Sequence, residues 1–195
     1  MINFIIHRIN TISELNNIPE RYGVEIDLRW NNGEIVLSHD PCEVQKQYDS
    51  LRKYLSDFKH KMLIVNIKET GIEDQVVKLL EEFSILNYFF LDLQFPVIVK
   101  LLNKGNSNIA IRYSEYEGLE VFNRLDLSPK YLWLDCFTKY PETTNMEKLR
   151  ANGLKVCAVS PELQGHDFSL HDSLDLSQID FICCKLDLVD RWSSK

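Results

Sequence analysis

Two histidines and two acidic residues lie in or directly after the first strand-like stretches of the chain. They occur in three short motifs, His7-Arg8, Glu25-Ile26-Asp27 and His39-Asp40. Imidazole exchanges protons close to neutral pH, because its ordinary pKa is about 6.5. Two such rings beside a carboxylate-held cation have the groups needed to cleave a phosphodiester, one ring removing a proton and the other supplying one.

The carboxylates of Glu25 and Asp27 point to the same side of a strand, because they alternate with Ile26. Oxygen donors of this kind are the ligands that Mg²⁺ and Ca²⁺ prefer. We therefore expect a divalent cation at this pair. The alternative is a structural ion pair of the two acids with Arg29 or Lys68.

His7 and His39 are predicted to be the acid–base pair, and the spacing does not assign which ring is the acid. Each has an alternative interpretation. His7 is otherwise a hydrogen-bonded histidine at a strand end. His39-Asp40-Pro41 is otherwise only a turn, since Asp-Pro favours turns. The catalytic interpretation requires the two rings to meet in the folded chain.

The composition of the 195-residue chain is typical of a globular protein, with 45% hydrophobic and 26% charged residues. The formal net charge of −7 argues against nucleic acid or an anionic membrane as the partner. The sequence shows no signal peptide and no apolar run of the ~20 residues that a membrane span needs, so we expect a cytoplasmic protein. Five scattered cysteines without a CxxC pair are typical of reduced, buried thiols.

Eight β-branched or aromatic stretches alternate with helical patterns along the chain. The predicted strands are residues 3–8, 23–30, 62–68, 88–94, 109–114, 131–137, 154–160 and 181–186. The predicted helices include residues 71–86, 96–103, 117–125 and 145–151, and residues 33–39 are predicted to form a hairpin with the second strand. This alternation predicts a compact (β/α)8 TIM barrel of the α/β class, with residues 1–195 as a single domain. An open doubly wound sheet is the alternative, but it usually begins with a Gly-rich turn that this chain lacks.

Polar side chains lie near the C-terminal ends of most predicted strands. Besides the motifs above, they are Asn66, Lys68, Asp92, Arg112, Glu115, Asp135, Glu162 and Lys185. Buried strands are otherwise apolar, because an unpaired interior charge is costly. The C-terminal ends of barrel strands meet at one rim, so these residues predict a polar pocket that carries both signs of charge.

Several of these residues occur in the order and spacing of a known enzyme family. They are His7-Arg8, Glu25-x-Asp27, Gly33, His39-Asp40-Pro41 and Lys68. The sequence therefore resembles the glycerophosphodiester phosphodiesterase family, with agreement over roughly the first 70 residues. It departs from the family pattern where Ile9 replaces a Gly, Asn10-Thr11 remains of a Glu-Asn-Thr segment, and Asn66 replaces a Glu.

The resemblance implies a site. Glu25, Asp27 and Asn66 would hold a divalent cation, Mg²⁺ or Ca²⁺, with Asn66 offering an uncharged carbonyl oxygen in place of the family's metal-binding Glu. Positive side chains would hold the phosphate oxygens, and the candidates are Arg8, Lys68, Arg112 and Lys185. Apart from the resemblance, the acids Asp92, Glu115, Asp135 and Glu162 are candidates for contacts with the substrate, such as hydrogen bonds to sugar hydroxyls, and Asp92 is also a candidate for supplying the negative charge that Asn66 lacks.

The expected activity is that of a phosphoric diester hydrolase, the metal-dependent cleavage of a glycerophosphodiester-type or glycan-linked phosphodiester. Three later segments resemble a divergent bacterial subgroup associated with surface-polysaccharide gene clusters: Ser114-Glu115-Tyr116-Glu117, Trp133-Leu134-Asp135 and Ser160-Pro161-Glu162-Leu163. Two alternatives stay open. Asn66 in place of an acid would suit a phospho-sugar-binding pseudoenzyme, and the surplus of acids would suit a lyase or transferase on the same barrel. The sequence leaves the substrate alcohols and the oligomeric state open.

Overall fold

The computed structural model describes residues 2–120, 122, 129–142 and 146–194. Its strands are β1 (Asn3–Ile6), β2 (Gly23–Asn31), β3 (Glu34–Leu37), β4 (Leu63–Ile67), β5 (Tyr88–Leu91), β6 (Ala110–Tyr113), β7 (Tyr131–Leu134), β8 (Lys155–Val159) and β9 (Phe181–Cys184). They form one sheet in the order β5-β4-β2-β1-β9-β8-β7-β6, and β3 pairs with β2 outside this path. Within these described ranges, eight strands of the main path alternate with helices along the chain, so the predicted (β/α)8 barrel class is confirmed.

One of the two compact units of the chain is Ile5–Leu93. Its strands β2, β4 and β5 are parallel neighbours, and the end of β1 lies parallel to β2. Every residue of β4 and β5 is buried, because their β-branched and aromatic side chains fill the space between the sheet and the helices. β2 turns back through Asn32 and Gly33, both at positive φ, into the antiparallel β3. The predicted hairpin is therefore confirmed.

The helices of this unit are α1 (Ile12–Leu15), α2 (Leu51–Asp57) and α3 (Glu73–Glu82). α1 begins with a capping box, in which the Thr11 hydroxyl accepts the backbone N–H of Glu14 and the Glu14 carboxylate accepts the backbone N–H of Thr11. α3 is shorter than the predicted 71–86, because Gly71 before it and Ser84 after it adopt positive φ. These left-handed residues stop the helical hydrogen-bond pattern.

The other unit comprises Met1–Phe4 and Gln94–Lys195. Strands β6 to β9 are parallel neighbours there. Its described helices are α4 (Phe95–Asn103), α5 (Glu147–Ala151) and α6 (Val189–Ser193), and four short 3₁₀ helices, Pro161–Gln164, Phe168–Ser173, Leu176–Gln178 and Leu186–Leu188. Gly153 follows α5 at a φ of 91°, the left-handed conformation in which helices commonly end. Four of the nine residues of the predicted helix 117–125, namely 121 and 123–125, lie outside the described residues.

The predicted strands extend too far at their C-terminal ends. Residues 3–8 and 88–94 were expected to be strands, but β1 ends at Ile6 and β5 ends at Leu91. The polar residues that follow therefore belong to turns, where the backbone has left the sheet hydrogen bonds.

Two further sequence expectations concern membranes and thiols. Among the helices that the structure describes, none combines the length and apolar character needed to cross a bilayer. All five cysteines are free thiols and four of them are buried, as expected for reduced core residues.

Candidate active site

Four candidate residues lie just beyond strand ends in the unit Ile5–Leu93. His7 and Arg8 follow β1, Lys68 follows β4, and Asp92 follows β5. The backbone φ is 55° at Arg8 and 57° at Asp92, in the left-handed region that non-glycine residues seldom adopt. Backbone strain of this kind persists only where the surroundings hold it, and it concentrates at functional sites.

Glu25, Asp27 and Asn66 form a buried group on two neighbouring strands. Glu25 is 1% and Asp27 0% exposed, within β2, and Asn66 of β4 is paired in register with Asp27. The Asn66 amide Nδ2 donates to Glu25 Oε1 at 3.0 Å. The three side chains that the resemblance assigns to a cation are therefore neighbours in the fold.

Asn10 was not among the predicted site residues, yet it clamps Asp27 by two hydrogen bonds, one with its side chain and one with its backbone. Asn10 Nδ2 donates to Asp27 Oδ2 at 2.8 Å, and the backbone N–H of Asp27 donates to Asn10 Oδ1 at 2.8 Å. The signal that pointed to it was the Asn10-Thr11 remnant of the family segment. Its geometry makes Asn10 the residue that fixes the orientation of the Asp27 carboxylate.

Burial, and after it the negative charge of Asp27, raise the pKa of Glu25 to about 7. Two hydrogen bonds oppose this rise, from the backbone N–H of Arg8 to Glu25 Oε2 at 2.9 Å and from Asn66. The two acids therefore repel each other strongly in the absence of further positive charge, which is the condition that favours cation binding.

Two cationic side chains already contact the acids. Lys68 Nζ lies 3.3 Å from Asp27 Oδ1, without hydrogen-bond geometry, and 3.6 Å from Asp92 Oδ2. Arg8 Nε lies 3.9 Å from Asp27 Oδ2. The Lys68 contact belongs to the ion-pair alternative for these acids. Arg29, the other partner considered there, instead donates to the carbonyl oxygens of His39 and Lys68.

The donor set fits a hard divalent cation. Asp27 Oδ1 and Asn66 Oδ1 are both buried, and neither has a hydrogen-bond partner. Among the described residues no three His, Cys, Asp or Glu side chains converge as a metal site, so a third donor beside Glu25 and Asp27 depends on the Asn66 amide. Two carboxylates and a carbonyl oxygen are ligands of the type that Mg²⁺ and Ca²⁺ select.

His39 lies between Asp40 and Arg8. Its Nδ1 is 2.8 Å from Asp40 Oδ1, and its Nε2 is 2.5 Å from Arg8 Nη2. A guanidinium only donates, so Nε2 is the acceptor and Nδ1 carries the proton of a neutral ring. The two hydrogen bonds of Arg29 to the His39 carbonyl, at 3.1 and 2.9 Å, hold the turn on which this ring stands.

His7 lies against Glu25, with Nε2 3.8 Å from Glu25 Oε2, and its side chain is 23% exposed. Burial is the main cause that lowers the pKa of His7 to about 4; the positive charges of Arg8 and Lys68 contribute, and Asp27 opposes them. The neutral ring is the form of His7 at neutral pH.

The remaining candidates belong to the other unit, and two of them pair. The Arg112 guanidinium donates to Asp135 Oδ2 and its Nε lies 3.8 Å from Glu117. Gln164 donates to the second Asp135 oxygen at 2.7 Å. Arg112 and Asp135 therefore neutralise each other. Their ion pair joins β6 to the end of β7, and the spacing of the two residues along the chain does not predict it.

Glu115 and Glu162 bind backbone groups near them. Glu115 accepts the N–H groups of residues 137–139, and although burial opposes it, hydrogen bonding with Thr138 lowers the pKa of Glu115 to about 2. Glu162 accepts the Ser160 hydroxyl and, at 3.2 Å, the backbone N–H of Lys185. These contacts show that both acids stabilise loops. The side chain of Lys185 is exposed.

No protein-family profile and no curated protein matches the sequence. Several solved structures match the fold. One described as a glycerophosphodiester phosphodiesterase from Galdieria sulphuraria has a TM-score of 0.73 at 16% identity, covering 100% of this chain and 98% of its own. The enzyme of that name from Agrobacterium tumefaciens has a TM-score of 0.69 at 13% identity, covering 94% and 96%. A glycerophosphoryl diester phosphodiesterase from Parabacteroides distasonis has a TM-score of 0.74 at 12% identity, covering 100% and 87%.

These similarities extend over nearly the whole chain, well beyond the segment in which the sequence resembles the family. At identities of 12 to 16%, these similarities support the fold only. The chemistry has to be argued from the residues of this chain. The resemblance that the sequence predicts is thus confirmed in the backbone: this chain has the fold of the glycerophosphodiester phosphodiesterases.

Proposed function

We propose that this chain is a metal-dependent phosphodiesterase that cleaves a glycerophosphodiester-type or glycan-linked phosphodiester. One observation carries the proposal. Arg8 connects the two halves of the predicted machinery, because its guanidinium contacts His39 and Asp27 while its backbone N–H binds Glu25, against which His7 lies. The similarity of the fold to solved phosphodiesterases supports it.

His7 and His39 would share the proton transfers. One ring takes the proton of the attacking water or hydroxyl as its oxygen forms the new bond to phosphorus. The other gives a proton to the alcohol oxygen as its bond to phosphorus breaks. His39 has an accepting Nε2 and His7 is neutral at neutral pH, so either ring can act as the base. The ring that acts as the acid must take up a proton before the alcohol oxygen leaves.

Glu25, Asp27 and Asn66 would hold the cation, Mg²⁺ or Ca²⁺, which supplies positive charge to the phosphoryl oxygens when bound. Arg8 and Lys68 would contact the same oxygens, Arg8 through two parallel hydrogen bonds and Lys68 as a single charge. Arg112 and Lys185 are proposed as further contacts to phosphate oxygens, and Asp92, Glu115, Asp135 and Glu162 as contacts to the rest of the substrate.

The direct test is hydrolysis of a panel of phosphodiesters in the presence of Mg²⁺ or Ca²⁺. We expect His7→Ala to lower turnover by about 10²- to 10⁴-fold, the usual contribution of acid–base catalysis. His60→Ala is the matched control, because His60 bonds to the carbonyl oxygen of Ile18, away from the acids. Turnover of every substrate at the level of the His7→Ala variant would contradict the proposal.

The second candidate function is a phospho-sugar-binding protein without turnover. It is favoured by the contact of Lys68 with Asp27 and by the uncharged Asn66. Calorimetric titration separates the two: Mg²⁺ or Ca²⁺ binding that disappears in Glu25→Gln supports the enzyme, and ligand binding indifferent to cations supports the binder. A lyase or transferase would differ in its product, and a cyclic phosphate seen by phosphorus NMR would identify intramolecular attack.

A further inference from the structure

A polar cleft of about 570 Å³ opens beside His39 within the unit Ile5–Leu93. Small-molecule sites commonly have volumes of about 300–1,000 Å³, so the cleft is large enough for a ligand group. His39 and Asn10 both line it, and Asn10 is the residue that clamps Asp27. The cleft therefore shares a wall with the candidate active site.

The lining carries hydrogen-bonding groups of both kinds. Its charged members are Glu34, Asp40, Glu43, Asp49, Lys46 and Lys53. The lining also includes the polar side chains of His39, Gln47, Ser38 and Thr11. A neutral compound rich in hydroxyl groups would find donors and acceptors here. An alkyl chain would remove these groups from water without pairing them, which is unfavourable.

The walls of the cleft are fastened to the rest of the unit. The backbone N–H of Leu37 donates to the Asp49 carbonyl at 3.0 Å, and the Asp49 carboxylate accepts the backbone N–H of Ile12 at 2.8 Å. Tyr48 is held by its hydroxyl, which accepts the backbone N–H of Glu43 at 2.9 Å. A binding surface that exists before the ligand arrives avoids the entropy cost of ordering it.

Two lining side chains remain available to a ligand. Gln47 and Lys53 are exposed, and neither side chain makes a hydrogen bond or ion pair with the part of the chain that the structure describes. Together they offer an amide donor, an amide acceptor and an ammonium group to the cleft.

We propose that this cleft binds the alcohol part of the substrate, and that this alcohol is a neutral sugar or sugar-like polyol larger than glycerol. The inference rests on the proposed function, which places the phosphoryl group at the two histidines. A three-carbon alcohol would leave much of the volume to water. Because His39 lines the cleft, the alcohol oxygen bound there is the one that His39 serves.

The test compares three ligands that share a phosphate and differ in the alcohol: α-D-glucose 1-phosphate, glycerol 3-phosphate and hexyl phosphate. Dissociation constants are measured by NMR titration in the presence of Mg²⁺, so no turnover is needed. We expect the glucose ester to bind about tenfold more tightly than either of the others, the gain typical of a few added hydrogen bonds. The Gln47 side-chain amide resonances should shift with the glucose ester.

A matched pair of double variants assigns the effect to the cleft. Gln47→Ala with Lys53→Ala should remove the tenfold advantage of the glucose ester. Gln75→Ala with Lys78→Ala should retain it, because Gln75 and Lys78 line a separate cleft of about 420 Å³ in the same unit.

Equal affinity for the three ligands, tighter binding of hexyl phosphate, or an advantage that survives in the first double variant would each overturn the inference. Failure of the proposed function is detected separately, as absence of hydrolysis in the phosphodiester panel, and it leaves these binding outcomes readable.

Discussion

Replacing Asn66 by Asp tests whether the buried acids are a cation site. The substitution keeps the shape of the side chain and restores an acid at the strand position where the related family carries Glu. It removes the Nδ2 donor that binds Glu25 Oε1 at 3.0 Å and puts a third carboxylate beside Glu25 and Asp27. Without a cation the change is unfavourable, and a bound cation offsets this cost, so the size of the effect depends on the ligand.

The magnitude follows from the contacts. Loss of a hydrogen bond to a charged group costs about 1.5–3 kcal/mol. Repulsion among the three buried acids adds to this cost, but the addition is limited because one acid can bind a proton. We therefore expect the free energy of unfolding of Asn66→Asp to fall by about 3 kcal/mol without a cation. A cation at 100 times its dissociation constant stabilises either protein by about 2.7 kcal/mol, so the penalty shrinks by about 1.4 kcal/mol for each tenfold by which Asn66→Asp binds the cation more tightly. Without a cation, the loss of stability should become smaller as the pH falls, because a proton shared between two carboxyl groups replaces the lost N–H donor of Asn66.

The assay is chemical denaturation of the wild type and Asn66→Asp at pH 7, with EDTA and with Mg²⁺ or Ca²⁺. Asn87→Asp is the control, because it adds the same charge at an exposed position directly before β5. A decrease in stability that is equal with and without cation would refute the assignment of Glu25, Asp27 and Asn66 as a cation site. It would favour the ion-pair alternative with Lys68.

Three further predictions concern the same unit. Asn10→Ala should weaken cation affinity about 10- to 100-fold through loss of the Asp27 clamp, measured by calorimetry, whereas Asn17→Ala, which loses only a bond to Ser13, should not. His39→Ala should lower turnover as strongly as His7→Ala, and the double variant should lose little more, since the two rings act as a unit. NMR titration should show His7 gaining its proton near pH 4. Its folded pKa lies below the ordinary 6.5, so its contribution to stability is present above pH 6.5 and is lost as the pH falls towards 4.

Local patterns of the sequence predicted which polar residues of Ile5–Leu93 lie together, as the structure shows for Glu25, Asp27 and Asn66. Alternation placed Glu25 and Asp27 on one side of β2, and strand spacing placed Asn66 on the adjacent β4. The Asn10 clamp was not predicted, because it depends on how the turn after β1 folds back onto β2. The left-handed backbone of Arg8 was also unpredicted, since the chain carries a bulky residue where the pattern alone favours a longer strand.

In the other unit, the sequence did not predict which charged side chains form ion pairs. Sequence reasoning treated Arg112 and Asp135 as separate contributors to a pocket, yet they form an ion pair between β6 and the end of β7. The acidic groups of Glu115 and Glu162 are engaged with loop backbones. Which of several nearby charges pair depends on strand register and loop geometry, and neither is encoded in residue spacing.

The hydrogen bond between Arg8 and His39 has a consequence for selectivity. In the free protein the guanidinium occupies the His39 nitrogen, so that nitrogen is not available to a passing neutral alcohol. Under the proposed function, an incoming phosphoryl group would give Arg8 a better acceptor and would free the His39 ring for proton transfer at the moment when that group is in place. Sulfate would free the ring in the same way without yielding a product, so we expect simple oxyanions to inhibit the proposed hydrolysis competitively.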